Sequence, residues 1–153
     1  MEFQMRSRVK KFESLKDINE IVALHNEVWK NSTGIIDLLK KSTDCFVLFN
    51  EGSQVIGYAF VEEDKKRRFV ELHDLAVSPK CRGRGGGRLL LQSVMRKYPH
   101  IKLIARKSDD RLVGFYRSQG FELESVYENY YDVNEDGARM SWRRSVQKEK
   151  IMR

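Results

Sequence analysis

The chain has 153 residues, 41% apolar and 33% charged, with a net charge of +7; that length suits one domain with its own core. No run approaches the roughly 18–20 apolar residues of a membrane span. The positive surplus lies at the ends, +3 over residues 1–11 and +5 over residues 138–153, which argues for solvated tails and against a specific nucleic-acid surface.

The first six residues, Met-Glu-Phe-Gln-Met-Arg, lack the apolar centre of a signal peptide. Cys45 and Cys81 are too few for a disulfide framework and show no metal-ligand spacing. The expectation is a cytoplasmic protein with reduced thiols, no bound metal and no membrane partner.

In chain order, Ser14-x-x-Asp17 reads as a capping box with an acid at its fourth position. Ile18, Ile21, Val22, His25, Val28 and Trp29 then fall on one helical stripe. A second short helix is predicted at Ile35–Lys41. Cys45–Phe49, Gln54–Val61 and Phe69–Val77 read as strands, joined by turns at Asn50–Gly52 and Glu62–Arg68. A further helix carries Leu90, Leu91, Val94, Met95 and Tyr98 on one face and stops at Pro99. Ile101–Ala105 is a short buried strand, and Asp109–Gln119 a helix closed by Gly120 as its left-handed cap. Phe121–Tyr127 and Ala138–Val146 are the last two strands. The order predicts an α/β fold: a mixed, mostly antiparallel sheet flanked by about four helices. Residues 1–153 then form a single domain with basic tails at 1–11 and 145–153.

Within the third strand, Val70 and Leu72 are apolar at even positions, but Leu75 and Val77 at odd ones. Strands keep their faces by alternation, so the switch predicts an extra residue, a β-bulge, near His73–Leu75. A strand ending at Asp74 would give the same pattern.

That strand runs into Arg82-Gly-Arg-Gly-Gly-Gly-Arg88, directly ahead of the Leu-rich helix. Glycines at a strand-to-helix turn let the backbone approach a bulky anion, and the helix N-terminus adds partial positive charge there. The arrangement suits a pyrophosphate. Arg-Gly-Gly runs also occur in disordered RNA-binding segments, but here a strand and a helix flank the glycines.

The spacing of Arg82, Gly85 and Gly87 resembles the acetyl-coenzyme A loop of the GNAT acyltransferase superfamily, and the likeness spans roughly residues 12–144. It implies that Leu75, Ala76 and Val77 of a bulged central strand lend backbone groups to the pantetheine arm. Arg82, Gly83, Arg84, Gly85, Gly86, Gly87 and Arg88 would hold the pyrophosphate. Asp109-Asp-Arg-Leu112-Val-Gly-Phe115-Tyr116-Arg-Ser-Gln-Gly120-Phe121 is similar to the second family motif, with Asp109 at the usual Asn and Leu112 at the usual Ala. Asp109 would then contact the cofactor arm or act only as a helix cap, which Asp performs as well as Asn.

Within the superfamily the chain resembles N-terminal protein acetyltransferases of the archaeal and NatA catalytic-subunit type. Arg106-Lys107-Ser108 carries the likeness, as do Tyr130-Tyr131 with Glu135-Asp136 and Met140 following. The resemblance implies that the tyrosine pair lies on the loop before the last strand and covers the incoming peptide N-terminus. Trp29, opening Trp29-Lys-Asn-Ser-Thr-Gly34, would line the pocket for the first residue, although this segment departs from the Pro-containing loop usual there. The partner implied is a protein or peptide N-terminus, and the enzyme a monomer or homodimer.

Acetyl transfer from acetyl-CoA needs an unprotonated amine, a stabilised oxyanion and a proton for the departing thiolate. A strand N–H supplies the oxyanion contact. Tyr116 offers a phenol, whose reference pKa of about 10 is close to that of an alkyl thiol; its alternative is a core tyrosine. Glu71 and His73 share a strand face, and either would take the amine's proton, directly or through water, unless that face is simply solvated. His25 reads as a helix-face histidine and His100 as a loop residue. Adjacent strand residues face opposite ways, so one of Tyr130 and Tyr131 is free for substrate, unless both only anchor a hairpin. Lysine side chains or a small amine are the rival acceptors. A non-catalytic basic phosphate- or nucleic-acid-binding module is the rival from another class.

Overall fold

A computed structural model describes residues 8–11, 15–29 and 34–145. Ser14 of the expected capping box, residues 30–33 and most of both basic tails lie outside them. The described residues fall into two compact units. One is built from the chain up to Glu63 together with Leu72–Lys97, the other from Asp64–Glu71 with the chain from Tyr98 onward.

The first unit holds strand β1 (Arg8–Lys11), helices α1 (Leu15–Val28) and α2 (Ile35–Lys41), strands β2 (Asp44–Phe49) and β3 (Val55–Asp64, through Glu63), and most of β4 (Phe69–Val77). A 3-10 turn at Pro79–Cys81 and helix α3 (Gly86–Lys97) follow. The strands lie in the order β1-β2-β3-β4, with β1/β2 and β2/β3 antiparallel. Residues 8–11, assigned by charge to a solvated tail, instead pair with β2 from Arg8↔Phe49 to Lys11↔Phe46. Ile21 and Leu24 of α1 and Ile35 of α2 pack with Cys45, Val47, Phe49, Tyr58, Phe60 and Ala76 in one apolar cluster. Leu90, Leu91 and Val94 of α3 are also buried. Gly57 lets that helix come close: a Cβ there would lie 3.1 Å from Leu90 Cδ1 and 3.0 Å from the Ala76 carbonyl oxygen.

The second unit holds the start of β4, β5 (His100–Arg106), helix α4 (Asp110–Ser118), β6 (Glu122–Asp132) and β7 (Glu135–Arg143). Its strands follow the order β4-β5-β7-β6. The β4/β5 ladder is parallel and pairs Val70 with Ile101 and Glu71 with Lys102. The β5/β7 and β6/β7 ladders are antiparallel. Mixed pairing, mostly antiparallel, with four α-helices among the described residues is the architecture expected from the element order.

Two details differ from expectation. β6 runs to Asp132 rather than Tyr127, so Tyr130 and Tyr131 belong to the strand and not to a loop. Their stretch is irregular, with a register shift between Tyr127 and Asp132 and a positive φ of 54° at Asn129. In β4, the burial of one charged side chain was not expected. Val70, Leu72 and Ala76 are buried, and the Asp74 side chain is only 8% exposed. Burial thus alternates in one phase through residues 70, 72, 74 and 76. The Asp74 carboxylate thus lies on the buried face, while Leu75 and Val77 lie half-buried at the odd positions.

Candidate active site

In the first unit, β4 ends at Val77 and the chain turns sharply. Ser78 N–H donates to the Ile56 carbonyl (2.8 Å) and Cys81 N–H to Ser78 (2.8 Å), tying the turn to β3. The Arg82 side chain folds back so that Nε donates to the Val77 carbonyl at 3.2 Å. Gly83 and Gly85 adopt φ of +78° and +83°, a conformation side chains rarely take, and a Cβ at either would meet nothing within 4 Å. Leu89 N–H bonds back to Gly85 O (3.0 Å), so α3 opens with the amides of Gly86, Gly87 and Arg88 short of i−4 carbonyls. Gly86 is buried, and a Cβ there would lie 2.8 Å from Leu48 Cδ2 and 3.6 Å from both Val77 methyls, so α3 begins pressed against β2 and β4. Arg82, Gly83, Arg84, Gly85 and Arg88 are exposed around this turn. The segment therefore joins backbone donors, a helix N-terminus and guanidinium groups at one exposed turn, as an anion site requires.

His73 and Glu71 have different partners. His73 Nε2 lies 2.8 Å from Glu62 Oε1 on β3. If Nε2 carries the proton given to Glu62, Nδ1 keeps its lone pair, and the carboxylate orients the ring as a base-orienting partner does. In the second unit, Glu71 is engaged through both oxygens, at 2.6 and 2.8 Å from Arg139 Nη1. Arg139 Cζ sits 5.7 Å from the Phe69 ring centroid and Lys102 Nζ 5.0 Å. Lys102 also donates to Glu124 (2.8 Å), and that hydrogen bond is the main influence holding the Glu124 carboxyl below its usual range. Glu71 thus belongs to a charge network along β4, β5, β6 and β7.

Tyr116 lies in α4, buried, with its ring edge-on to Phe115 (5.2 Å) and Phe121 (5.5 Å). The helix closes as the Gly120 spacing predicts: Gly120 has φ +99°, its N–H bonds Arg117 O, and Phe121 N–H bonds Tyr116 O, both at 3.0 Å. These are the paired bonds of a Schellman motif, and they fold Phe121 back onto Tyr116. Asp109 is the N-cap, with Oδ1 accepting from Leu112 N–H at 3.0 Å.

The tyrosines at the end of β6 stand against the residues that carried the finer resemblance. Tyr130 is 52% and Tyr131 39% exposed, with rings edge-on at 4.9 Å. Tyr131 OH donates to Ile104 O (3.2 Å), and the Arg106 guanidinium lies 4.5 Å over its ring. Burial, then Tyr130, push the Tyr131 phenol up, and Arg106 opposes them. Arg106 pairs with Glu135. Asp136 accepts from Asn129 N–H (2.9 Å) and its carbonyl from Lys107 N–H (2.9 Å). Gly137 makes room, since a Cβ there would lie 3.0 Å from Tyr130 Cβ and Cγ.

A third group was not expected from sequence. His25 is buried, with Nδ1 2.8 Å from Tyr58 OH, and Tyr58 OH donates to Asp74 Oδ2 at 2.9 Å. The available signals were the place of His25 on the apolar stripe of α1 and that of Asp74 in the even phase of β4. Glu62, the partner of His73, had no sequence signal beyond its charge. Trp29, at the end of α1, is 46% exposed.

A strand–glycine turn–helix segment and a Tyr-bearing helix closed by Gly-Phe, on mixed α/β pairing, are features of an acyl-CoA-using transferase. The chain belongs to the GNAT acetyltransferase family: the profile described as "Acetyltransferase (GNAT) family" matches residues 12–121. It is 30% identical over 93 residues to the N-alpha-acetyltransferase RimI of Mycobacterium tuberculosis, covering 58% of this chain and 59% of that one. It is also 30% identical over 76 residues to the peptidyl-lysine N-acetyltransferase YiaC of Escherichia coli, covering 50% and 49%. The chain therefore spans less than two thirds of the length of either curated relative. The crystal structure of Ard1 from Thermoplasma volcanium has the same fold, with a TM-score of 0.76 at 22% identity over 91% of this chain and 98% of that one. No helix among the described residues is long and apolar enough to cross a membrane.

Proposed function

We propose that the protein transfers the acetyl group of acetyl-CoA to the free α-amine of a peptide or protein N-terminus, by direct attack in a ternary complex. The observation that carries this reading is the exposed tyrosine pair of β6, in which Ile104 and Arg106 hold Tyr131 and the Tyr131 ring meets Tyr130. Held, half-exposed phenols suit contact with a peptide backbone at a chain end. The likeness to RimI, named as an N-alpha-acetyltransferase, supports the same acceptor.

In this reading the Arg82–Arg88 turn binds the pyrophosphate through its amides, and Leu75–Val77 face the pantetheine arm and the thioester carbonyl. Tyr116 protonates the leaving thiolate. His73, oriented by Glu62, takes the amine's proton directly or through water. Glu71 is the poorer base, because the Arg139 guanidinium engages both of its oxygens. Its role is to tie β4 to β7 across β5. Asp109 serves as the helix cap it forms. Trp29 lines the acceptor side.

A weak base is enough for this substrate. At neutral pH roughly a tenth of an α-amine is unprotonated, against about one part in a few thousand for a lysine amine. The second reading, acetylation of lysine side chains, is favoured by the likeness to YiaC. A peptide carrying both a free N-terminus and one lysine separates the two. Fragment-ion mass spectrometry should find the acetyl group on the α-amine, and acetylation confined to the lysine would overturn the proposal.

A further inference from the structure

We propose that Asn129 is a positioning residue for the acceptor: its left-handed backbone, locked by Asp136 and Asn134, brings Tyr130 and Tyr131 together as one surface for the peptide N-terminus. The proposal rests on the amine-acetylating reading above and adds to it a residue that acts through the tyrosine pair.

A regular strand sends neighbouring side chains to opposite faces. The Tyr130 and Tyr131 rings nevertheless meet edge-on at 4.9 Å, and Tyr127 lies 6.0 Å from Tyr130. The cause is the pairing of β6 with β7. Tyr127 stands opposite Gly137 and Asp132 opposite Glu135, so β6 advances five residues where β7 advances two. The excess is thrown out of the ladder as a bulge, and within it Asn129 turns the chain at a φ of 54°. Most residues with a Cβ resist that conformation, and Asn is among the few that enter it readily. Two phenols thus stand together where a regular strand would present one on each face.

Hydrogen bonds hold the turn from two directions. Asn129 N–H donates to Asp136 Oδ1 at 2.9 Å, and Asn134 N–H donates to Asn129 Oδ1 at 2.8 Å. Asp136 is itself anchored, because its carbonyl accepts from Lys107 N–H at 2.9 Å. Asn129 is therefore fixed at its backbone by β7 and at its side chain by the hairpin turn. Tyr131 has its own anchors on Ile104 and Arg106. Tyr130, 52% exposed, follows directly from Asn129, so the left-handed turn sets where its ring goes. It sits against Gly137, where a Cβ would come within 3.0 Å of Tyr130 Cβ and Cγ.

The test uses full-length protein and steady-state kinetics, with thermal unfolding as the check on folding. Asn129→Ala forces a side chain without an oxygen into the left-handed backbone. It should raise the Michaelis constant for peptide about tenfold, the size of that backbone preference, and leave kcat and the constant for acetyl-CoA within twofold. Asn129→Gly takes the same φ without strain and should raise the peptide constant less than Asn129→Ala does. Asp136→Ala removes the acceptor of the Asn129 N–H and should also raise it, while Asp136→Asn keeps an oxygen there and should recover most of the loss. In a Tyr130→Ala, Tyr131→Ala background, Asn129→Ala should add nothing, because it acts through the missing rings. A parent-like peptide constant in folded Asn129→Ala, a greater loss in Asn129→Gly, or a multiplying effect in the tyrosine-free background would each overturn the proposal. If Asn129→Ala does not fold, the two Asp136 variants decide, and equal peptide constants in them would overturn it. Each constant is measured with an α-amine peptide and with an N-terminally blocked lysine peptide. Failure of the α-amine reading then shows in the parent enzyme's preference, while failure of the Asn129 proposal shows in the variants with whichever peptide the parent prefers.

Discussion

Both carboxylate oxygens of Glu71 face one nitrogen of Arg139, at 2.6 and 2.8 Å, and the two side chains are only 18% and 13% exposed. Arg139→Met should therefore act on stability, at a cost of about 3 kcal/mol, because it leaves a largely buried carboxylate without its partner. Glu71→Gln should keep kcat within tenfold of the parent, whereas His73→Asn should lose about a hundredfold, the low end for a general base. Denaturant titration beside steady-state kinetics checks all three. A hundredfold loss of kcat in a stable Glu71→Gln protein would return the role of base to Glu71.

Replacing Gly87 with Glu should abolish measurable acetyl-CoA binding without unfolding the chain. The substitution places a carboxylate in the first turn of α3, at the helix N-terminus proposed to hold the pyrophosphate. Calorimetric titration with acetyl-CoA reads the affinity and circular dichroism the fold. Parent-like affinity would remove the loop assignment.

Tyr116→Phe preserves the ring between Phe115 and Phe121 and deletes the proton donor. Turnover should fall by about 10²–10⁴-fold with acetyl-CoA affinity almost unchanged. Single-turnover measurement isolates the chemical step, and an unaltered rate would make Tyr116 a core residue only.

The cysteines give a probe of the loop that needs no acceptor. Burial, followed by the charges of Asp44 and Asp17, pushes the Cys45 thiol up. The thiolate is the reactive form, so a raised pKa keeps Cys45 protonated and inert at pH 8 until the protein unfolds. Cys81 is half-buried, directly before Arg82. Alkylation of the folded protein should label Cys81 alone, and saturating acetyl-CoA should slow that labelling at least fivefold. Labelling of Cys81 at the same rate with and without acetyl-CoA would contradict the loop assignment.

Much of this was legible in the residues, and the gaps have physical causes. The bounds of α2 and the glycine turn follow from local signals, and so does the Schellman closure of α4, because helix ends and turns are decided by nearby residues. Arg8–Lys11 was misread because a short edge strand takes its pairing from β2, and no local pattern announces that. The burial of Asp74 was hidden because its partners, Tyr58 and His25, are 16 and 49 residues away, and alternation assigns a carboxylate to solvent. The same long-range pairing hid the tie from Glu71 to Arg139 and that from His73 to Glu62. Candidates for the base were readable one at a time, while their ranking needed the partners.

The central claim is the α-amine acceptor, and the most direct measurement compares kcat/KM on one peptide in two forms. The first form has a free N-terminus and no lysine; the second is blocked at the terminus and carries one internal lysine. The account predicts that the free N-terminus is acetylated at least a hundredfold faster at pH 7, and that Tyr131→Ala raises its Michaelis constant and leaves that of acetyl-CoA nearly unchanged. A faster rate on the blocked, lysine-bearing peptide would contradict it.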